Sequence, residues 1–468
     1  MLSHMVIFGA TGDLAARLLV PGLAELRAAG DIGDGLTIVG VGIEHMSDAA
    51  FRERMRTALA EHAATIDSEA RAATVNAMTY RQADLTAAGS VEAALGHLDQ
   101  SIVVYLALPP ALFAPTLNAL ADAGLPAGSV VAIEKPFGQN LASAHALNHL
   151  LATRLPDVTV FRNDHYLHKQ TVQNVLGLRF ANRLLEPVWN AENVESIEIM
   201  KSESLALEGR ARYYDRSGAL KDMLQNHLLQ ILCFAAMEPP ASLHDRDLRA
   251  AKLAVLRAVP TPDHTLLAHH TVRGRYTAGT INGRSIPNYI DEPGVDPQRD
   301  TETYAQVTLG IENWRWAGVP FTLRSGKALP TTHAEVVVRF RAVPHRTFAR
   351  QPGCGPNELR LCLEPPAASL GININAEDEL LRLTRAELSA DLPTPRFSAY
   401  AGLLRDVLDS DLTLSVGGEE AEEAWRIMQP IIDGWAAGAT PLRSYPAGST
   451  VPDEWDTVAA SAAITSPT

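Results

Sequence analysis

The alternation of short apolar runs with amphipathic stretches between residues 5 and 161 constrains this chain more than any other feature. "MVIF" (5–8), "LTIVGV" (36–41), "SIVVYLAL" (101–108), "SVVAIE" (129–134) and "VTVF" (158–161) are apolar almost throughout, the pattern of strands buried on both faces. Helical periodicity fills the intervals at 13–29, 47–60, 89–98, 111–123 and 141–154, with Ser47 placed to cap the second. Strands that alternate with helices build a parallel, doubly wound sheet of the Rossmann type.

After about residue 165 the pattern changes. A long helix is expected over "SGALKDMLQNHLLQILCFAAME" (217–238), stopped by Pro239 and Pro240. From about 271 to 385 strand-like alternation dominates, as in "TETYAQVTLG", "HAEVVVRFRAV" and "NELRLCLE", which implies a large, mostly antiparallel sheet. Helical segments near 399–409 and 418–436 precede a polar tail from about 440. The expected organisation is α/β followed by α+β, with a dinucleotide-binding domain at 1–164 and a substrate-binding and dimerisation domain at 165–468. An open sheet of that width needs a cover, so a homodimer or a dimer of dimers is expected.

Composition removes several function classes. Of 468 residues 46% are hydrophobic and 20% charged, an ordinary globular balance. No apolar run approaches the roughly 18 residues of a membrane span, and no basic leader precedes "MLSHMVIFGATGDL", so the chain reads as cytoplasmic. A net charge of −14 opposes nucleic acid as a partner. Cys233, Cys354 and Cys362 are too few and too far apart for a disulfide framework or a zinc site. His4, His62, His97, His145, His149, His269 and His270 lack metal-ligand spacing, and no metal is expected.

"VIFGATGDLAARLL" reads as strand, tight turn and helix. Gly9 and Gly12 let the backbone approach a pyrophosphate, which the helix starting near Asp13 would face. Thr11 and Leu14 belong to the same turn. Past the second strand, an acid bonds the ribose 2′-hydroxyl of NAD and an Arg accepts the 2′-phosphate of NADP. Here Glu44 is the first polar side chain, His45 follows, and no Arg occurs until Arg52. The cofactor is therefore NADP or NAD, leaning to NAD or dual use.

"FRNDHYLHKQ" gathers Asp164, His165, His168 and Lys169 within six positions. A phosphate dianion needs several donors and fixed positive charge, and a helix starting near Tyr166 would set Lys169 about one turn from His165. On the expected α-helix, His227 lies five residues and about 140° from Asp222, so the two are not local partners.

Five blocks together, "GATGDLA", "AIEKPFG" (132–138), "NDHYLHK" (163–169), "YYDRSGALKDMLQNHLLQ" (213–230) and "NWRWAGVPFTLRSGKAL" (313–329), resemble the glucose-6-phosphate dehydrogenases in order and spacing. The resemblance implies that His227 is the general base for the sugar C1 hydroxyl and Asp164 the carboxylate that orients it. It implies a phosphate site at His165, Tyr166 and Lys169. Lys135 would reach both substrate and cofactor, with a cis peptide to Pro136 allowed, and Glu203, Asp222 and Lys327 would contact the sugar. The ligands implied are a sugar phosphate and a dinucleotide.

The chain departs from the family pattern at several positions. His168 stands where glycine is usual and Gln170 where an acid is usual; Thr332, followed by His333, replaces a second cation, and Glu364 a glutamine. A lost cation beside an anion removes a contact worth roughly 1.5–3 kcal/mol, unless His168 and His333 compensate. These departures motivate a second reading, a dehydrogenase of another aldose 6-phosphate or of an unphosphorylated sugar. A ligand-binding homologue without turnover is the third. Trp314 and Trp316 are expected to pack rather than to touch ligand.

Overall fold

The computed structural model describes residues 2–87, 89–96, 100–209, 211–345, 347–348, 354–377, 381–452 and 455; His97 lies outside them. The described chain forms two compact units.

The first unit holds a six-stranded sheet of β1 (His4–Phe8), β2 (Thr37–Gly42), β3 (Met78–Gln82), β4 (Val103–Leu106), β5 (Val130–Glu134) and β6 (Thr159–Asn163). Every pairing is parallel, in the order β3-β2-β1-β4-β5-β6. The central strands β4 and β5 are buried at every position, as continuous Val, Ile and Leu runs require. The edge strand β3 was not legible as a strand: its "MTYRQ" buries only Met78 and Tyr80, leaving too few apolar residues for a periodic signal. A helix at Ser68–Asn76, capped by the Asp67 carboxylate, was also not anticipated.

The unit is not contiguous in sequence. It comprises Met1–Gln170, Ala241–Arg249 and Pro395–Glu422, whereas the sequence pattern placed one boundary at 164/165. The reason is packing: Leu403, Leu404, Val407 and Leu408 of the helix Ala399–Asp409 are fully buried in one cluster with Leu23, Phe51 and Met55. A sheet wound on both faces needs helices to cover both, and the late segment supplies one.

The second unit, Thr171–Pro240, Ala250–Thr394 and Glu423–Thr468, is built on a nine-stranded sheet. Its strands are β7 (Val194–Ser202), β8 (Thr271–Thr277), β11 (Tyr304–Leu309), β12 (Phe321–Gly326), β13 (His333–Phe340), β14 (Glu358–Glu364), β15 (Pro366–Asn375), β16 (Leu383–Asp391) and β17 (Leu442–Pro446). A small hairpin, β9 (Gly279–Ile281) and β10 (Arg284–Ile286), lies apart. The order β16-β15-β14-β13-β7-β12-β11-β8-β17 is antiparallel except at β7–β12 and β8–β17. The expected tail from 440 instead begins with β17, whose Tyr445 is fully buried. Strand alternation along β13 sends Val336 and Val338 to one face and His333, Glu335 and Val337 to the other.

The expected continuous helix at 217–238 is three pieces. Ala211–Ala219 ends at a kink on Gly218 (φ 66°, ψ 175°), Leu220–Leu228 is π-helical, and Leu229–Ala236 is α-helical.

Candidate active site

In the first unit the glycine turn follows β1 directly. Gly9 has φ +81°, and a Cβ there would stand 2.2 Å from the carbonyl oxygen of Ala107, so no other residue fits. The N–H groups of Gly9 and Ala10 both donate to Val41 O, at 2.9 and 3.0 Å, and Gly12 N–H closes the turn onto Gly9 O at 2.9 Å. The helix that follows passes through a π-helical stretch (Ala15–Leu19) into α1 (Val20–Ala28). Leu14 packs against the core, while Asp13 is exposed beside Arg17. A turn with glycine at both ends opening into a helix N-terminus fits a dinucleotide pyrophosphate.

Glu44 follows β2, and its side chain meets a cation from further along the chain. Arg54, on α2 (Asp48–His62), reaches Glu44 Oε2 with Nη1 at 2.7 Å and donates from Nη2 to Thr11 O at 2.6 Å. Arg52, the first Arg after the strand, instead donates to Met78 O on β3. Ser47 caps α2 as expected, accepting from Ala50 N–H.

The "EKPFG" block leaves the sheet at the end of β5, and the Lys135–Pro136 peptide is cis. Glu134 is buried, with Tyr105 Oη donating to its Oε1 at 2.5 Å. Burial pushes its carboxyl up to about 7, although the Tyr105 bond and the charge of half-buried Lys135 pull the other way. Tyr400 is also pushed up, first by burial and then by the charges of Glu134 and Asp164.

Residues 164–169 form consecutive tight turns, and the helix begins only at Gln170. Leu167 N–H donates to Asp164 O, His168 N–H to His165 O and Lys169 N–H to Tyr166 O. Asp164 is buried and accepts Tyr166 N–H on Oδ1 at 3.0 Å. The His165 ring stacks on Tyr400 at 5.3 Å and meets the Tyr166 ring edge-on at 5.1 Å. Lys169 Nζ sits 4.1 Å over the Tyr166 ring, so imidazole, phenol and ammonium share one small surface. His168 does not join them. It is buried with Nε2 3.2 Å from Asp406 Oδ2, and it ties the turn to the helix Ala399–Asp409 instead of adding charge to an anion site.

In the second unit, β7 and β12 run parallel and end together. Glu203 N–H donates to Gly326 O at 2.9 Å, and Lys327 Nζ is paired with the Glu203 carboxylate. Lys327 Nζ also lies 5.1 Å from the Tyr214 ring centroid. Burial and the nearby Asp222 and Glu302 charges push the Tyr214 hydroxyl well up. Asp222 accepts from Tyr213 Oη at 3.2 Å.

The π-helical turn changes the relation of Asp222 to His227. With i→i+5 bonding, residues five apart stack on one side of the helix, so the α-helical separation of about 140° does not hold. His227 is fully buried on this segment and Asp222 is half-buried. Glu302 sets where this segment starts: its Oε1 accepts Leu220 N–H at 2.9 Å. Gly218 makes room for it, because a Cβ there would stand 2.3 Å from Glu302 Oε1. Burial raises the Glu302 carboxyl to about 7.

The departures from the family pattern also have places here. Thr332 Oγ1 accepts Ser204 N–H at 3.0 Å and lies 2.9 Å from Ser204 Oγ. His333 faces the other side of β13, with Nε2 3.2 Å from Glu335, so it does not replace the lost cation. Glu364 pairs with the buried Lys201 at 2.6 Å. Trp316 packs as expected, donating to Ala236 O, but Trp314 is fully exposed, because the turn closed by Asn313 points the two rings apart.

Two family models match almost the whole length: the glucose-6-phosphate dehydrogenase NAD binding domain at residues 6–174 and the C-terminal domain at 176–465. The chain belongs to the glucose-6-phosphate dehydrogenase family. It is 37% identical to the glucose-6-phosphate 1-dehydrogenase of Zymomonas mobilis, covering 96% of this chain and 95% of that one. With the Mycolicibacterium smegmatis enzyme of the same name it shares 38%, over 96% and 94%. The crystal structure of the Mycobacterium avium enzyme superposes with a TM-score of 0.86 at 34% identity, covering 98% of this chain and 96% of that one. A glucose-6-phosphate dehydrogenase in complex with glucose 6-phosphate superposes at 0.88 and 29%, covering 99% and 98%.

Within this family member, Arg54, Tyr105, Glu134, Lys201, Glu302 and Tyr400 stand beside the candidate residues without having been singled out in the sequence. Only Glu134 carried a signal, as the neighbour of Lys135 in "EKPFG".

Proposed function

We propose that the protein oxidises glucose 6-phosphate at C1 to 6-phosphoglucono-1,5-lactone, with a nicotinamide dinucleotide as acceptor, as the first oxidative step of the pentose phosphate pathway. The observation that carries the chemistry is His227, a buried imidazole on a π-helical turn. Oxidising a hemiacetal to a lactone needs a base that titrates near neutrality, which imidazole supplies. His227 takes the hydroxyl proton while the C1–H bond breaks and its electron pair leaves with the hydrogen. The dinucleotide supplies a ring carbon that accepts hydride. Asp164 keeps the orienting role that the resemblance implies, steadying the imidazolium. The paired Lys327 and Glu203, with Asp222, suit sugar hydroxyls, and His165, Tyr166 and Lys169 suit the phosphate.

The Gly9 turn and Glu44 support an NAD or dual preference. A reducing, cytoplasmic compartment suits the three free cysteines. Among the described residues no helix is long and apolar enough to cross a membrane. A homodimer or dimer of dimers through the nine-stranded sheet remains the assembly we propose.

The engagement of Thr332 with Ser204 and of His333 with Glu335 keeps a second reading in view, turnover of a less anionic sugar. Comparing kcat/KM for glucose 6-phosphate and glucose with each dinucleotide separates the two. The proposal expects the phosphate ester to be favoured by orders of magnitude; a ratio near one refutes the phosphate site.

A further inference from the structure

We infer that Arg54 and Glu44 act together as the selector for the dinucleotide, with Arg54 the ligand for a 2′-phosphate and Glu44 the group that holds it back. The inference rests on the dehydrogenase reading above and names the selectivity of that same dinucleotide site.

The loop after β2 is a fixed platform. Tyr80 Oη donates to Glu44 O at 2.6 Å, Gln82 Nε2 donates to Ile43 O at 3.1 Å, and Gln82 Oε1 lies 3.1 Å from His45 Nδ1. Glu44 therefore projects from backbone that β3 holds in place, at the position where doubly wound domains read the adenosine ribose. About two turns along α2 from Ser47, Arg54 folds back over this loop. Its two outer nitrogens engage different partners, Glu44 Oε2 at 2.7 Å and the Thr11 carbonyl of the glycine turn at 2.6 Å. One rigid guanidinium thus spans the carboxylate that would meet the ribose and the turn that would hold the pyrophosphate. The Glu44 and Arg54 side chains are 47% and 42% exposed, so the pair is weak enough to be exchanged for a better partner.

The consequences differ for the two dinucleotides. A ribose 2′-hydroxyl can donate to Glu44 while Arg54 keeps both its bonds. A 2′-phosphate brings a dianion against the Glu44 carboxylate, and it binds only if Arg54 leaves Glu44 and turns its fork to the phosphate oxygens. The other nearby basic side chains are turned to β3: Arg52 Nε donates to Met78 O, and His45 Nδ1 lies 3.1 Å from Gln82 Oε1. The pocket therefore prefers NAD and accepts NADP at the expense of its own ion pair, a preference that inverts when the Glu44 charge is removed.

The test uses the full-length protein as wild type, Glu44→Gln, Arg54→Met and the double variant. Calorimetric Kd values for 5′-ADP and 2′,5′-ADP provide a binding readout independent of turnover, alongside kcat/KM for NAD and NADP. Glu44→Gln is expected to tighten 2′,5′-ADP and raise the NADP-to-NAD ratio by about tenfold or more, the scale of one charge-assisted contact. Arg54→Met is expected to weaken 2′,5′-ADP by about tenfold while leaving 5′-ADP within about twofold. The double variant is expected to lose the Glu44→Gln gain. A gain that survives in the double variant, an unchanged 2′,5′-ADP affinity in Arg54→Met, or a wild-type preference for NADP overturns the inference. Absence of turnover with either dinucleotide, with the binding pattern intact, refutes the dehydrogenase reading instead.

Discussion

Replacing Glu302 by Gln should remove the fall in stability with rising pH that Glu302 imposes on the segment that carries His227. Glu302 is buried, caps Leu220 N–H and has its carboxyl raised by burial from 4.5 to about 7. Between those two values the native protein holds a proton that the unfolded chain has released, so stability falls as pH rises. The contribution is complete below about pH 4.5 and gone above about pH 7, and at roughly 1.4 kcal/mol per pH unit it amounts to about 3 kcal/mol. Gln keeps an oxygen for Leu220 N–H but carries no charge at any pH. Relative to wild type, Glu302→Gln should therefore gain about 3 kcal/mol between about pH 5 and pH 8. Two units need not unfold together, so amide exchange over residues 219–229 is the better assay, read as local opening free energy at several pH values. Parallel pH profiles for the two proteins would show that the Glu302 carboxyl does not change its charge state across this range, and the argument would fail.

His227→Asn should lower kcat by about 10²–10⁴, the usual range for a general base, with little change in KM; steady-state kinetics with glucose 6-phosphate decides it, and a loss confined to KM would place the base elsewhere. His168→Leu should destabilise the protein by about 1–3 kcal/mol, because it takes a buried hydrogen-bond partner from the Asp406 carboxylate, and the His168→Leu/Asp406→Leu pair should recover most of that; denaturant titration of both variants checks it, and a double variant no better than the single would show that the hydrogen bond is not what His168 contributes.

Much of the architecture was legible because its signals are local. Runs such as "SVVAIE" are apolar throughout because β5 is buried on both faces, and Gly9 is glycine because its backbone has positive φ with a carbonyl pressed against the missing Cβ. The block order of the motifs was legible for the same reason, since each block is one continuous stretch of chain.

Three further features were not legible, each for a physical reason. The central strand β7 was overlooked: in "VESIEIMKS" Glu195, Glu198 and Lys201 interrupt the apolar pattern, although Glu198 is buried against Arg324 and Arg339. The π-helical turn at Leu220–Leu228 has the composition of an α-helix, and only the Gly218 kink and the Glu302 cap show why its register differs. Arg54 is ten residues from Glu44 in sequence and one hydrogen bond away in space.

By itself, the sequence determined the α/β-then-α+β order, the glycine turn and the identity of the candidate residues, because covalent neighbours and side-chain periodicity encode those directly. Which charges meet was decided only by the tertiary structure. His168 turned inward to Asp406, His333 turned to Glu335, and Arg54 turned back to Glu44 and Thr11. The energy of a charge depends on the distance to its partner and on the water between them, and neither is a property of position in the chain.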